Sequence, residues 1–299
     1  GQVKGIGLSG KDSDTVGINP CDGNRVDNAR CQLSQLVRSC GWSNLMFGLR
    51  LGQKPRVCIT TTPKPIPIVR RLISEDRVIV TTGRPAGWCD HIARMWPVDA
   101  VVGENGACCF WYDRKARRLS VRHSLPPQAL RANRERVEAV AAQVLADVPG
   151  TALASDQFCR LYDLAIDYCE DVPHVGEPCV RRIVDIMEAV GMTAKVSSIH
   201  VNGWFGTYDK LSMSRNIMRD LFGVDLDRDR DQIAYVGDSP NDAPMFAHFP
   251  YSVGVANVRD FVGKMDALPR YITHSRSGEG FAEFASLLIA MRSQQPRLN

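Results

Sequence analysis

The sequence predicts an α/β protein in which a parallel sheet forms a core that is interrupted by an inserted α+β unit. Two observations carry this prediction. Strand-like and helix-like stretches alternate before residue 84 and again after residue 206, which is typical of parallel sheets with crossover helices. The stretch between them has a different character, with long amphipathic helices and alternating strands. The core is therefore expected to come from two separate parts of the chain.

The first part of the core follows a segment without a clear pattern. Residues 1–55 mix Gly, Asp, Asn and Ser with single apolar residues, so we predict a poorly structured N-terminal segment. Residues 56–62 are rich in β-branched side chains and predict a buried strand, which the prolines that follow would stop. Residues 68–73 indicate a short helix, and residues 77–82 predict a second strand.

The second part of the core begins with a helix predicted over residues 210–222. Apolar residues recur there at helical spacing, and Gly223 ends the pattern. Residues 232–236 and 251–255 predict two further strands, and a final helix is expected from about residue 280 to residue 291.

The inserted unit is predicted to form a domain of its own. Residues 127–148 and 178–190 have the apolar periodicity of amphipathic helices, while residues 160–166 and 193–199 alternate like half-exposed strands. The predicted organisation is an N-terminal segment, a discontinuous core and an insertion: residues 1–55, residues 56–84 with 206–292, and residues 85–205.

Composition excludes several classes of protein. The chain has an ordinary globular composition, and no apolar run reaches the roughly 18 residues that cross a bilayer. A net charge of +4 is mild for 299 residues and does not favour a nucleic-acid binder. The ten cysteines contain no C-x-x-C pair, so we expect reduced, structural thiols in a cytoplasmic protein rather than a zinc site.

The strongest chemical signal is the sequence Tyr235-Val-Gly-Asp-Ser-Pro-Asn-Asp242. Asp238 would lie at the carboxyl end of a buried strand, where ligands bind in open α/β sheets, and Asp242 follows by one helical turn. Two carboxylates that converge there suit an oxygen-preferring cation such as Mg²⁺. The same residues would also fit an acidic turn that caps a helix. We favour the metal site because the strand, the glycine and both acids occur together.

Two further features are weaker when taken alone. Thr82 and Gly83 end a predicted strand, and a hydroxyl followed by glycine exposes an oxygen and backbone N–H groups to an anion. Lys210 begins a core helix, and a phosphate pocket needs a compact positive charge of this kind. However, Thr-Gly ends many strands, and a lone lysine is usually a solvated surface residue.

In this order, the three features resemble the motifs of the haloacid dehalogenase (HAD) superfamily of phosphohydrolases, and its subfamily IIB in particular. The matching residues are a hydroxyl, a lysine and two acids: Thr82, Lys210, Asp238 and Asp242. Residues 101–107 and 200–210 resemble the entry to and the exit from the inserted cap domain of this subfamily. The resemblance covers about residues 78–292.

The resemblance implies a Rossmannoid core, a type C2B cap and hydrolysis of a phosphate monoester through an aspartyl-phosphate. It implies that Mg²⁺, held by Asp238 and Asp242, neutralises the phosphate. Residues that would hold the phosphoryl oxygens are Thr82, Gly83, Lys210 and Asn241, of which Thr82 and Lys210 would act on the transferring oxygens. The cap would select a small phosphorylated metabolite, such as a sugar phosphate.

The first motif of the family is an apolar strand followed by D-x-D, and it has one formal counterpart before Thr82. In that counterpart Asp12 would be the nucleophile and Asp14 the general acid and base. The residues that precede Asp12 are a poor strand, so we interpret this stretch as a solvated acidic loop. The alternative to a phosphatase is therefore a pseudoenzyme or phosphate-binding module that keeps the acidic metal site and the cap but lacks the nucleophile.

A shorter stretch, residues 42–82, resembles the ATPase domain of a phage terminase large subunit. The resemblance depends on residues 44–52 and on residues 56–67, which include Thr60-Thr-Thr-Pro63. The acidic Walker B strand of that family is missing. Gly5, Gly10 and Lys11 have the spacing of a phosphate loop, but Asp12 stands where that motif has a Ser or Thr. We therefore interpret the chain as a hybrid, with DNA as a partner only under the terminase alternative.

These inferences predict a specific geometry. Thr82, Lys210 and Asp238 should converge at the carboxyl ends of neighbouring strands, under a lid formed by residues from about 85 to 205. The strand end at residues 60–62 should lie opposite Asp238 in place of a carboxylate, which would leave a weak Mg²⁺ site. The expected partner is a small phosphorylated metabolite, without a membrane or nucleic acid.

Overall fold

Apolar strands from both ends of the chain assemble into one large sheet in the computed structural model, which describes residues 44–48, 77–197 and 199–292. The strands of this sheet are β1 (Asn44–Gly48), β2 (Arg77–Thr81), β3 (Ala100–Gly103), β4 (Cys108–Asp113), β5 (Arg118–His123), β10 (Ile233–Gly237), β11 (Tyr251–Gly254) and β12 (Tyr271–Ile272). A smaller sheet contains β6 (Ala152–Leu153), β7 (Leu164–Asp167), β8 (Thr193–Val196) and β9 (His200–Trp204).

Helices flank both sheets. In chain order they are α1 (Ala86–Met95), α2 (Pro127–Asp147), α3 (Glu177–Ala189), α4 (Lys210–Phe222), α5 (Ala243–His248) and α6 (Ser277–Arg292). The predicted helix over residues 210–222 is confirmed, with Asp209 and Ser212 forming a capping box at its start and Gly223 in the left-handed region at its end. The predicted helices of the insertion are confirmed within a few residues at each end.

The large sheet has the order β12-β11-β10-β1-β2-β3-β4-β5. The strands from β12 to β3 are parallel, and the hairpin β4–β5 continues the sheet in antiparallel fashion. The central strands β2 and β10 have almost continuous apolar sequences because helices cover both faces of the sheet. The parallel arrangement brings the carboxyl ends of β1, β2 and β10 to one edge of the sheet.

The strand between β2 and β10 differs from the predicted one. Residues 44–48 pair with β10 on one side and with β2 on the other, and Gly48 is level with Thr81. Residues 44–48 therefore take the place expected for the strand that ends at residues 60–62, and their unstructured assignment is wrong. The prediction for residues 60–62 themselves lies outside the described residues. Three consecutive apolar residues are too short a signal to separate a buried strand from a loop. Residues 1–43, with Asp12 and Asp14, and residues 49–76 lie outside the described residues.

The boundary of the insertion also differs from the predicted one. Strands β3, β4 and β5 belong to the large sheet, and α1 packs against β3 and β4. The core therefore extends to about residue 123, where a boundary at residue 85 was expected. The insertion comprises the small sheet with α2 and α3, whose apolar residues form a separate hydrophobic cluster. We call this insertion the cap. No helix among the described residues is long and apolar enough to cross a membrane.

Candidate functional site

Three of the predicted site residues meet at the carboxyl edge of the large sheet. Thr82 directly follows β2, Asp238 directly follows β10, and Lys210 is the first residue of α4. All three line one cleft between the core and the cap. Gly83 and Asn241 line the same cleft, so five of the predicted residues lie together on its core side.

Asp242 lies beneath this cleft and holds the lysine. Its Oδ1 accepts a hydrogen bond from Lys210 Nζ at 2.8 Å and another from the Tyr235 hydroxyl at 2.6 Å. Its Oδ2 accepts the backbone N–H groups of Asp238 and Ser239 at 2.9 and 3.2 Å. Because both oxygens are occupied and the side chain is only 1% exposed, Asp242 does not face the cleft as a metal ligand. This corrects its predicted role: Asp242 orients Lys210 and closes the turn after β10.

The described residues do not fit a Mg²⁺ ion by themselves. Mg²⁺ takes six oxygen ligands in near-octahedral geometry. Asp238 is the carboxylate among the described residues that line the cleft, and no group of three or more potential metal-ligating side chains is found in this part of the chain. A metal at this edge would depend on ligand oxygens and water for most of its coordination.

Neighbouring residues hold the loop after β2 tightly beside the cleft. Thr82 donates its N–H to the carbonyl of Val102, and its carbonyl accepts the N–H of Asn105 at 3.1 Å. The Thr82 hydroxyl accepts the N–H of Arg84 at 3.1 Å. At Gly83 a β-carbon would lie 2.9 Å from Oδ1 of Asn105, so a side chain would displace that amide. We call residues 82–84 the phosphate loop, after the ligand that we propose for the cleft.

The cap side of the cleft was missed by sequence reasoning. Arg160, His200 and Asn202 of the cap line the cleft together with Arg84 of the phosphate loop. The Arg160 guanidinium is nearly fully buried and donates to the Gly83 carbonyl at 3.0 Å. In the sequence, Arg160 precedes Asp163 by three residues, and such a pair of opposite charges is common on solvated surfaces. Nothing in that pattern indicates that the side chain crosses to the core.

Glu104 connects the two halves of the site from within the protein. It follows β3 in a turn where Glu104, Asn105 and Gly106 all have positive φ angles of 43°, 55° and 103°. Its buried carboxylate accepts four backbone N–H groups, from one core residue and three consecutive cap residues: Ala86, Leu161, Tyr162 and Asp163. Burial, followed by the nearby charge of Asp163, raises the pKa of Glu104 to about 7, against the lowering effect of these hydrogen bonds.

The raised pKa of Glu104 predicts a measurable pH dependence. Between about pH 4.5 and pH 7 the folded protein holds a proton that the unfolded chain has released, so the free energy of unfolding should fall as the pH rises. A pKa shift of this size corresponds to a decrease of roughly 3 kcal/mol in the free energy of unfolding between these two pH values. We expect a carboxyl-carbon NMR titration of Glu104 to show a midpoint near pH 7. A midpoint at or below pH 4.5 would show that the four N–H donors outweigh burial.

Comparison with known proteins gives a match in fold only. No protein-family model matches this chain, and no curated protein matches it in sequence. Among solved structures, the C-terminal domain of trehalose-6-phosphate phosphatase from C. albicans superimposes with a TM-score of 0.62 at 14% identity, covering 87% of this chain and 96% of that one. Sucrose-phosphatase from Synechocystis gives 0.56 at 13% identity, covering 82% and 97%. A phosphatase of the HAD superfamily from Bacteroides thetaiotaomicron gives 0.53 at 15% identity, covering 83% and 95%.

The chain therefore has the fold of the capped HAD phosphatases. The α/β core with an inserted α+β cap, predicted from the sequence, is confirmed. The terminase resemblance lies mostly outside the described residues and stays a prediction. At 13–15% identity the likeness establishes the fold, and the chemistry of this chain has to be argued from its own residues.

Proposed function

We propose that the cleft binds the phosphoryl group of a small phosphorylated metabolite. The observation that carries this proposal is the placement of Lys210, which the buried carboxylate of Asp242 holds at the cleft beside the phosphate loop. A fixed ammonium group beside a threonine hydroxyl suits a phosphate monoester. Ser239 and Asn241 extend this polar surface, with the Ser239 hydroxyl donating to Asn241 Oδ1 at 2.6 Å.

A sugar phosphate is the class of ligand that this site favours. Two of the similar structures are named for phosphatases of trehalose 6-phosphate and of sucrose phosphate. In this chain the cap contributes polar groups to the cleft, among them Asn202 and Ser197. Such groups suit the hydroxyls of a sugar better than an apolar leaving group.

Hydrolysis through an aspartyl-phosphate would require a carboxylate at the end of β1. That strand ends at Gly48, level with Thr81 and next to Gly237, and the sequence contains no Asp or Glu between Asn44 and Ser74. We therefore propose that the chain binds its ligand but does not hydrolyse it with a nucleophile on this strand. The second candidate is a Mg²⁺-dependent phosphatase that uses Asp12 and Asp14, which is favoured by the retained Thr82, Lys210 and Asp238.

Binding and turnover can be tested separately. We expect isothermal titration calorimetry to show that the protein binds trehalose 6-phosphate and not trehalose. We expect no Mg²⁺-dependent release of phosphate from p-nitrophenyl phosphate, and no beryllium fluoride adduct, because that mimic bonds to an attacking carboxylate. A Mg²⁺-dependent rate that both Asp12→Asn and Asp238→Asn abolish would establish the phosphatase instead. Failure to bind any phosphate ester would refute both candidates.

A gain-of-function variant tests the missing carboxylate directly. The double substitution Gly48→Asp with Arg50→Asp restores the D-x-D spacing from the last residue of β1. Because β1 lies between β2 and β10, we expect this variant to form a beryllium fluoride complex with Mg²⁺. We also expect it to hydrolyse p-nitrophenyl phosphate at least about 10²-fold faster than the parent protein. This factor is the lower end of the rate enhancement that one positioned proton-transfer group provides. The control is the same double substitution combined with Asp238→Asn. A correctly folded variant without activity would mean that more than the nucleophile is missing.

A further inference from the structure

The contacts of Glu104 lead to an inference about the cap rather than the ligand. We propose that Glu104 is a positioning residue that fastens residues 160–163 of the cap onto the core beside Thr82, so that the cap is closed before a ligand arrives. We call residues 160–163 the cap loop. The inference concerns the empty protein and does not depend on which ligand binds.

The hydrogen bonds of the cap loop show why Glu104 fastens it. The N–H groups of Leu161, Tyr162 and Asp163 donate to the Glu104 carboxylate at 2.9, 2.7 and 3.1 Å. These three consecutive N–H groups belong to a loop, and their acceptor is a core side chain with 0% exposure. The bonds from Tyr162 and Asp163 are buried, and buried N–H groups that lose their acceptor are costly, so this loop depends on Glu104 for its position.

The turn that carries Glu104 also connects to the phosphate loop. Oε1 of Glu104 accepts the N–H of Ala86 at 2.8 Å, and the N–H of Glu104 donates to the carbonyl of Arg84 at 3.1 Å. The next residue, Asn105, donates its N–H to the carbonyl of Thr82. One short turn therefore holds the cap loop from one side and the phosphate loop from the other.

Two arginines cross the boundary in opposite directions. Arg84 of the core reaches Asp156 of the cap at 3.1 Å, and Arg160 of the cap reaches the Gly83 carbonyl at 3.0 Å. Arg160 also pairs with Asp163, whose side chain is 0% exposed. Opening the cap would leave the Arg160–Asp163 pair intact, because both residues belong to the cap, but it would separate Arg84 from Asp156 and Arg160 from the Gly83 carbonyl. These contacts join the cap to the core beside the cleft, as the inference requires.

Hydrogen exchange of the ligand-free protein tests this inference. We expect the amides of Leu161, Tyr162 and Asp163 to exchange at least about 10²-fold more slowly than in an unstructured chain, although they belong to no helix or strand. At about pH 8 Glu104 is ionised, since its pKa is about 7. In Glu104→Gln one of its oxygens is replaced by an NH₂ group that faces N–H donors, so protection of these amides should fall about 10-fold or more at that pH. The amides of β10 should keep their protection. Glu138→Gln, at an exposed position of α2, is the matched control and should change neither set.

Two results would overturn the inference. One is fast exchange of the three cap-loop amides in the unaltered protein, which needs no variant and would show that the cap is open at rest. The other is a folded Glu104→Gln variant in which the three amides remain as protected as before. The measurement contains no phosphate compound, so its outcome is independent of the ligand-binding titration.

Discussion

Replacing Lys210 with methionine is expected to abolish binding of trehalose 6-phosphate and to lower the free energy of unfolding by about 3–5 kcal/mol. The substitution keeps much of the side-chain volume and removes the ammonium group. Asp242 then remains as a buried carboxylate, 1% exposed, that has lost its positive partner at 2.8 Å. Calorimetric titration and urea unfolding would measure the two effects.

Two controls separate the roles of this lysine. Adding Asp242→Asn to Lys210→Met removes the unpaired charge, while the amide oxygen still accepts the N–H groups of Asp238 and Ser239. We expect this double variant to recover part of the lost stability and none of the binding. Lys115→Met, at an exposed turn after β4, should change neither quantity. If Lys210→Met retained full affinity for the phosphate ester, Lys210 would not be part of the binding site.

Replacing Gly106 with alanine is the second substitution with a large expected effect, about 4 kcal/mol or more in the free energy of unfolding. Gly106 has a φ angle of 103°, which L-residues rarely adopt, and a β-carbon there would lie 2.0 Å from the carbonyl oxygen of Asp209. The backbone at Asp209 would have to move, and Lys210 is the next residue. We therefore expect a loss of phosphate-ester affinity in whatever fraction of the variant remains folded.

Gly191→Ala is the matched control because Gly191 has a similar φ angle of 82° with no atom within 4 Å of the added β-carbon. It should show the cost of the backbone conformation alone, about 1–2 kcal/mol. A comparison of the two variants by urea unfolding isolates the effect of close packing at Gly106. Equal costs for both would mean that the turn after β3 adapts freely, and that it does not fix the position of Lys210.

The sequence by itself determined the fold class and the core side of the site. Strand, glycine and acid follow one another in the stretch from Tyr235 to Asp242, and such local patterns fix where a side chain lies relative to its own strand end. The parallel core then brings Thr82, Lys210 and Asp238 together, as the sequence predicted. The helix from Lys210 to Phe222 was equally clear because its caps and its apolar period are local.

Strand positions and side-chain roles that depend on contacts between distant segments were decided only by the tertiary structure. The place of Asn44–Gly48 between β2 and β10 follows from strand pairing, which a five-residue segment does not reveal. The role of Asp242 was decided by Lys210, 32 residues away, and that of Glu104 by the cap loop, 57 to 59 residues away. Whether a carboxylate binds a metal, pairs with a lysine or holds backbone N–H groups depends on the donors that folding brings to it. Those donors come from other parts of the chain, so the spacing of residues in the sequence does not predict them.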